Sequence, residues 1–220
     1  MNKITRKTLL PEPPRLPEVL TPCSAKAMND EAEISCALLE GNRIERTAAA
    51  GVVVEQAVLR SVVFEGGRLA GVRFSDVLFE GADLPGIALS RGRLQRVEFR
   101  GCRLTGAQIS ECRGRDILFR ECTLESAILT ACRWQSIRFE RCNLRKAIFE
   151  RIELPGAVFW GCDLSGADFA GSTTKGVDFR GSDLTGLHIE ARQLQGAIID
   201  PLQAMQVAAL LGISVKEQGE

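Results

Sequence analysis

Cysteine and arginine are the residues of this chain whose spacing invites a chemical explanation. Cys102, Cys112, Cys122, Cys132 and Cys142 stand ten residues apart, and Cys162 follows twenty later. A metal-ligand series is the first reading of such regularity. Zinc, however, takes its thiolates from closely spaced pairs or from Cys and His together. Here there is no CxxC, and His188 is the only histidine. A second series is cationic: Arg73, Arg93, Arg113 and Arg133 are spaced by twenty. Catalysis finds no foothold. With one His, no Tyr and no glycine-rich phosphate loop, nothing offers nucleophile and base together. No metal, cofactor or catalytic residue is assigned.

The elements that position these residues show in a stricter periodicity. From Ile34 to Ile199 a large apolar residue falls on nearly every fifth position, with Ala49, Gly114 and Thr174 the exceptions. All ten Phe sit on this lattice. Period five is neither the 3.6 of an amphipathic helix nor the 2 of a strand, so a repeat architecture is required. Two residues before each centre the side chain is small or β-branched, as at Ala82, Val97, Cys102, Ala107 and Cys112. The other three positions are mostly charged, Gly or Ser. Two residues in and three out describe a chain that bends every five residues around a narrow core.

Ala82-Asp83-Leu84-Pro85-Gly86, Cys162-Asp163-Leu164-Ser165-Gly166, Ala167-Asp168-Phe169-Ala170-Gly171 and Ser182-Asp183-Leu184-Thr185-Gly186 resemble the pentapeptide-repeat family. The resemblance covers residues 32 to 199. It implies an all-β fold: a right-handed quadrilateral β-helix with four pentapeptides, hence twenty residues, per coil. About eight coils follow, a rod on the order of 40 Å long at a strand spacing of roughly 4.8 Å. Residues twenty apart then stack on one wall. Phe79, Phe99, Phe119, Phe139, Phe159 and Phe179 form one internal ladder, and Leu84 to Leu184 form that of the next wall. Trp134, one coil from Gly114, is expected to fill the volume that glycine leaves. The cysteines become inward small residues, with Cys112 and Cys132 opposite Cys102, Cys122, Cys142 and Cys162. They are read as buried free thiols acting as small hydrophobes.

The flanks differ. Residues 1–31 carry Pro11, Pro13, Pro14, Pro17 and Pro22, which exclude helix and ladder there. This extension is a disordered arm or a strap on the first coil; Leu16, Val19 and Leu20 favour the strap. Residues 200–220 change period. Asp200 suits an N-cap, Pro201 the first helical position and Gln203 a capping-box partner, while Gly212 ends the helix. This helix covers the apolar end of the rod. Leu202, Met205, Leu210, Leu211 and Ile213 are the candidates to join two rods as a homodimer. Lys3, Arg6 and Lys7 are not followed by a secretory apolar region, and no run reaches membrane-spanning length, so a cytoplasmic location is expected.

Formal net charge is zero, which excludes a general pull toward nucleic acid or membrane. The distribution is uneven. From Arg91 to Arg151 there are fourteen basic and seven acidic residues; from Ile152 onward, four and nine. The acidic Asp163, Asp168, Asp178 and Asp183 occupy the consensus slot, so the repeat itself accounts for them. Like charges one coil apart repel by roughly 1 kcal/mol in water, so the Arg column calls for an anionic partner, unless Asp76 and Asp116 balance it as a solvated stripe. Trp160, outward beside Phe159, is a second candidate contact, with Leu78, Leu118, Val158 and Ile198 sharing its wall. The end of the chain, Ile199 to Val215, resembles that of Qnr-type quinolone-resistance pentapeptide proteins. That resemblance implies a dimer whose acidic surface mimics DNA and engages DNA gyrase, against which the basic central coils argue. Three functions are therefore carried: a non-enzymatic scaffold binding a partner protein through a rod face, a topoisomerase-protecting DNA mimic, and direct nucleic-acid binding by the Arg wall. The last ranks below the others because arginines about 5 Å apart do not match phosphate spacing and aromatics outside the core are lacking.

Overall fold

A computed structural model describes residues 10–24, 28–45 and 48–216. Lys3, Arg6, Lys7 and Leu9 lie outside them. The chain winds as a parallel β-solenoid whose pairing steps by twenty residues each time. Along one line the partners run Leu38, Val58, Leu78, Glu98, Leu118, Arg138, Val158, Asp178 and Ile198.

The walls follow from the lattice. Strands Val53–Arg60, Arg73–Glu80, Arg93–Arg100, Arg113–Arg120 and Arg133–Glu140 each cover two of them. The bend falls two residues after a lattice centre, where Gln56, Asp76, Arg96, Asp116 and Ser136 take φ between 50° and 57°. That left-handed region excludes β-branched side chains, and none of the non-glycine residues turning there is β-branched. The first wall is centred on Val54, Phe74, Leu94, Gly114 and Trp134, and the second on Leu59, Phe79, Phe99, Phe119 and Phe139. The fourth carries short strands such as Ala88–Ser90 and Gln108–Ser110.

The third wall begins with strands Arg43–Glu45 and Val63–Glu65 and then becomes a stack of turns. In Leu84-Pro85-Gly86-Ile87 the Ile87 amide bonds the Leu84 carbonyl at 3.3 Å, with Gly86 at φ 62°. Pro followed by Gly is what a type II turn requires. Toward the C-terminus most corners become turns. The consensus acids hold them: Asp163, Asp168, Asp178 and Asp183 each accept the main-chain N–H two residues on, at 2.8–3.1 Å. Their structural explanation therefore holds.

The interior is apolar and dense. The six Phe of the second wall are buried, with successive ring centroids 4.6–5.5 Å apart. Phe149 and Phe169 stack likewise on the fourth wall, 4.5 Å apart. At Gly114 the expectation is corrected in part. Ile117 stands nearest to where a Cβ would project, and Trp134 only next. An intrastrand neighbour shares that volume with the indole.

Both ends are closed. Residues 10–20 form a strap in which Pro11, Pro14, Leu16, Pro17 and Leu20 are the partly buried positions, while Val19 is exposed. The Arg15 amide bonds Asp76 Oδ1 at 2.8 Å, so the strap reaches beyond the first coil. The exclusion of ladder by proline fails at its end. Thr21–Pro22 pairs in parallel with Ala37–Leu38, because Pro22 sits on an outer strand while the Thr21 and Cys23 amides donate.

At the other end Ala191–Leu194 is a 3-10 turn, so the last coil is less regular than the unbroken lattice implies. The helix Pro201–Leu210 follows, with Asp200 accepting from the Leu202 and Gln203 amides in a capping box. Its inner face is Gln203, Val207 and Leu210 rather than Leu202 and Met205. Buried Gln203 donates Nε2 to the Phe179 and Ser182 carbonyls at 2.6 and 2.7 Å, and Gln193 does the same for Phe169 and Ser172. Two glutamines thus satisfy carbonyls that the missing next coil would have bonded.

Candidate partner-binding face

The first wall places its arginines by register. Arg73 pairs with Arg93, Arg93 with Arg113 and Arg113 with Arg133. Each precedes a lattice centre by one residue, so each points outward and is exposed. On the far side of those centres run Ser75, Gln95, Arg115 and Gln135. Between the two rows lies a groove of about 830 Å³ along the rod axis, reaching Glu153 and Pro155.

Charge in this groove is poorly balanced. Arg133 Nε lies 3.0 Å from Glu153, and Arg115 Nε 3.2 Å from Asp116. Arg73, Arg93 and Arg113 have no carboxylate partner among the described residues. The expectation that Asp76 and Asp116 balance the column is therefore corrected. Asp76 receives two bonds from Arg96, at 2.6 and 2.7 Å, and the Arg15 amide. The Arg96 bond lowers its pKa against the effect of burial. The corner bend turns these acids away from the column and toward other partners.

The second wall is different. Arg60 bridges Glu40 and Glu80. Glu98, only 3% exposed, accepts from Nε and Nη2 of Arg100 at 2.6 and 2.8 Å, and Arg120 reaches Glu140 at 2.9 Å. Trp160 lies on this wall and not beside the Arg column. It is 46% exposed, with the guanidinium carbons of Arg138 and Arg141 5.9 and 6.0 Å from its ring centre. Leu78 and Val158 are buried and Leu118 half-buried, which leaves Ile198 as the exposed member of that apolar set.

At the C-terminal end Leu202 is 85% and Met205 62% exposed, and Leu211 and Ile213 are also open. Leu210 leaves this group because it packs against the core.

The cysteine columns are interior. Cys102, Cys112, Cys122, Cys132, Cys142 and Cys162 are buried free thiols. Those of the longer column donate to main-chain carbonyls, Cys122 to Phe99 and Cys142 to Phe119 at 3.4 Å. Hydrogen bonding to the adjacent thiol, then burial, pushes the pKa of Cys122, Cys132 and Cys162 upward. No group of His, Cys, Asp and Glu suited to a metal occurs among the described residues. His188 is exposed, 4.0 Å from Asp168. No helix among the described residues is long and apolar enough to cross a membrane.

The Glu190 to Gln193 spacing is the same capping-box signal as Asp200 to Gln203, and both glutamines close the ladder. The pairing of Asp76 with Arg96 was readable as opposite charges twenty apart at a corner.

Comparison with known proteins gives two family matches. Residues 72–149 match the pentapeptide repeat region, and residues 162–198 match pentapeptide repeats (8 copies). No curated protein matches in sequence. Among solved structures, two trypsin-treated variants of QnrB1, a plasmid-mediated fluoroquinolone resistance protein, superpose with a TM-score of 0.56 at 22% identity. They cover 84% and 82% of this chain and 99% of their own. HetL, a pentapeptide repeat protein involved in heterocyst differentiation regulation from the cyanobacterium Nostoc sp., matches at 18% identity over 77% of this chain and 87% of its own, with a TM-score of 0.24.

Proposed function

Because the chain belongs to the pentapeptide-repeat family, we propose that it is a non-enzymatic cytoplasmic scaffold that receives a partner protein on its first wall. One observation carries this reading. Arg73, Arg93 and Arg113 line a groove without carboxylate partners, whereas the second wall of the same rod matches its charges. Charge left uncompensated on a rigid surface favours an anionic complement. A photo-cross-linking residue placed at Gln95, in the groove, should capture a partner in the native cell. The same residue at Ser110, on the fourth wall, should not. Capture from Ser110 alone sinks the assignment of the face.

The scaffold is further proposed to be a homodimer joined at its C-terminal ends. Leu202, Met205, Leu211 and Ile213 supply the patch, each worth about 1.5–3 kcal/mol when fully buried. One self-complementary patch at a rod end satisfies a two-fold interface. Light scattering should give twice the chain mass, and Leu202→Asp with Met205→Asp should give monomers. A monomeric parent protein refutes the dimer.

A topoisomerase-protecting DNA mimic acting on DNA gyrase is the second reading, favoured by the superposition on nearly the whole of QnrB1. The Arg column opposes it. A gyrase supercoiling assay with a fluoroquinolone decides: protection at stoichiometric protein would establish it.

A further inference from the structure

We infer that the first-wall groove takes an extended acidic segment of the partner, laid along the rod axis with its carboxylates on Arg73, Arg93 and Arg113. This inference rests on the partner-binding reading of that wall and adds the chemistry of the occupant.

Width is the first argument. The two outward rows flank one lattice-centre residue, so they stand about 6.6–6.8 Å apart along the strand, the breadth of a single chain. Length is the second. Arg73 to Arg133 spans three coil steps, roughly 14 Å, or about four residues of extended peptide. Glu153, paired with Arg133, closes the C-terminal side to negative charge.

The donors suit carboxylates. An Arg fork binds a carboxylate through two parallel bonds, and three unpaired forks stand in file. Gln95 on the opposite row offers amide donors and an acceptor for a peptide main chain. The rigid sheet fixes these groups before any partner arrives, which lowers the ordering cost of binding.

Nucleic acid fits less well. A duplex is wider than the groove and would overhang the corners, where acids and arginines alternate, Arg91 with Glu111 on one side and Asp76, Arg96 and Asp116 on the other, so its phosphates would not meet a continuous cationic track. Single strands bind by stacking bases on exposed rings, but the rings at this wall, Phe74 and Trp134, are buried.

The probe is a fluorescein-labelled octaglutamate, with octalysine and a thymidine oligonucleotide of equal charge as comparisons, read by anisotropy at low salt. Octaglutamate should bind, and Arg93→Glu with Arg113→Glu should weaken it at least about tenfold. Arg68→Glu with Lys146→Glu, two exposed sites away from the first wall and without ion pairs, changes net charge as much as the double variant and should stay within about twofold. Melting curves establish that the double variant remains folded. The inference is overturned if octaglutamate binds no better than octalysine, if the double variant binds as the parent does, or if the oligonucleotide binds more tightly than the peptide. Should octaglutamate fail while the Gln95 cross-link still captures a protein, the occupant is misassigned and the wall is not. Should capture come only from Ser110, the wall itself is wrong.

Discussion

On the second wall Arg60 stands between Glu40 one coil below and Glu80 one coil above. On the first wall Arg93 stands between Arg73 and Arg113. Both are outward positions of the same long strands, and both meet their neighbours at the spacing of stacked coils. The solenoid therefore places residues twenty apart in contact without dictating their signs. Alternation is available to this sequence and is used on one wall. The uniform column on the other is not a requirement of the fold, and each adjacent pair within it costs roughly 1 kcal/mol or less in water.

The comparison breaks most visibly at Arg120. Glu98 and Glu140 are both nearly inaccessible, and Arg120 lies 3.8 Å from the first and 2.9 Å from the second. Replacing it with Glu brings three carboxylates together at the surface of the core. Arg120→Glu should lower stability by about 3 kcal/mol, because buried charges lose compensation. Equilibrium unfolding in urea measures it. A loss below half of that would mean the second-wall pairs are as weak as ordinary surface pairs, and the contrast between walls would lose its energetic content.

Acid sharpens the same contrast. Burial works to raise the Glu140 pKa, but bonds from Arg120 and Arg138 outweigh it and leave it lowered from 4.5. Asp76 is lowered from 3.8, chiefly by its bond from Arg96. A carboxylate depressed in the folded state contributes stability that is present above its unfolded pKa and is lost as pH falls through the folded value. Melting temperature should therefore hold from neutrality to about pH 5 and fall below pH 4.5. Asp76→Asn should remove part of that slope. The Arg column contributes none of it, because arginine keeps its charge throughout. An acid profile unchanged in Asp76→Asn would show that the Arg96 pair has no energetic role.

Most of the rod was legible from Ile34 to Ile199, because a five-residue period is local and each coil repeats the same packing problem. The Phe79 to Phe179 stack and the inward thiols followed from phase alone. What was not legible depends on which way a side chain leaves a corner. Asp76 and Asp116 share a wall with the Arg column on paper, yet a residue at φ 57° turns away from it. The strap was harder still: that Pro14 and Pro17 lie on the rod depends on Asp76 accepting the Arg15 amide beside its two bonds from Arg96. At the C-terminal helix, hydrophobicity alone grouped Leu210 with Leu202 and Met205 as candidates to join two rods, yet Leu210 packs inward. Beside it, two open carbonyls, at Phe179 and Ser182, draw in the polar Gln203.

The smallest expected effect has the opposite sign. Arg93→Glu inserts a carboxylate between Arg73 and Arg113 and reproduces on the first wall the order seen at Glu40, Arg60 and Glu80. Two repulsions become two attractions at an exposed site, worth about 0.5–1 kcal/mol of added stability. For a chain of this length the melting temperature should rise by about 1–4 °C. The gain should shrink in about 1 M salt, where the Debye length falls below the coil spacing. The reverse substitution of sign on the second wall, Arg60→Glu, should lose stability under the same conditions and lose less of it in salt. If Arg93→Glu is instead destabilising at low salt, the column is not frustrated, and an anionic partner is not what it lacks. If it is stabilising and abolishes octaglutamate binding together, one residue is shown to be kept for its partner at a cost to the fold, the usual direction of compromise between stability and function.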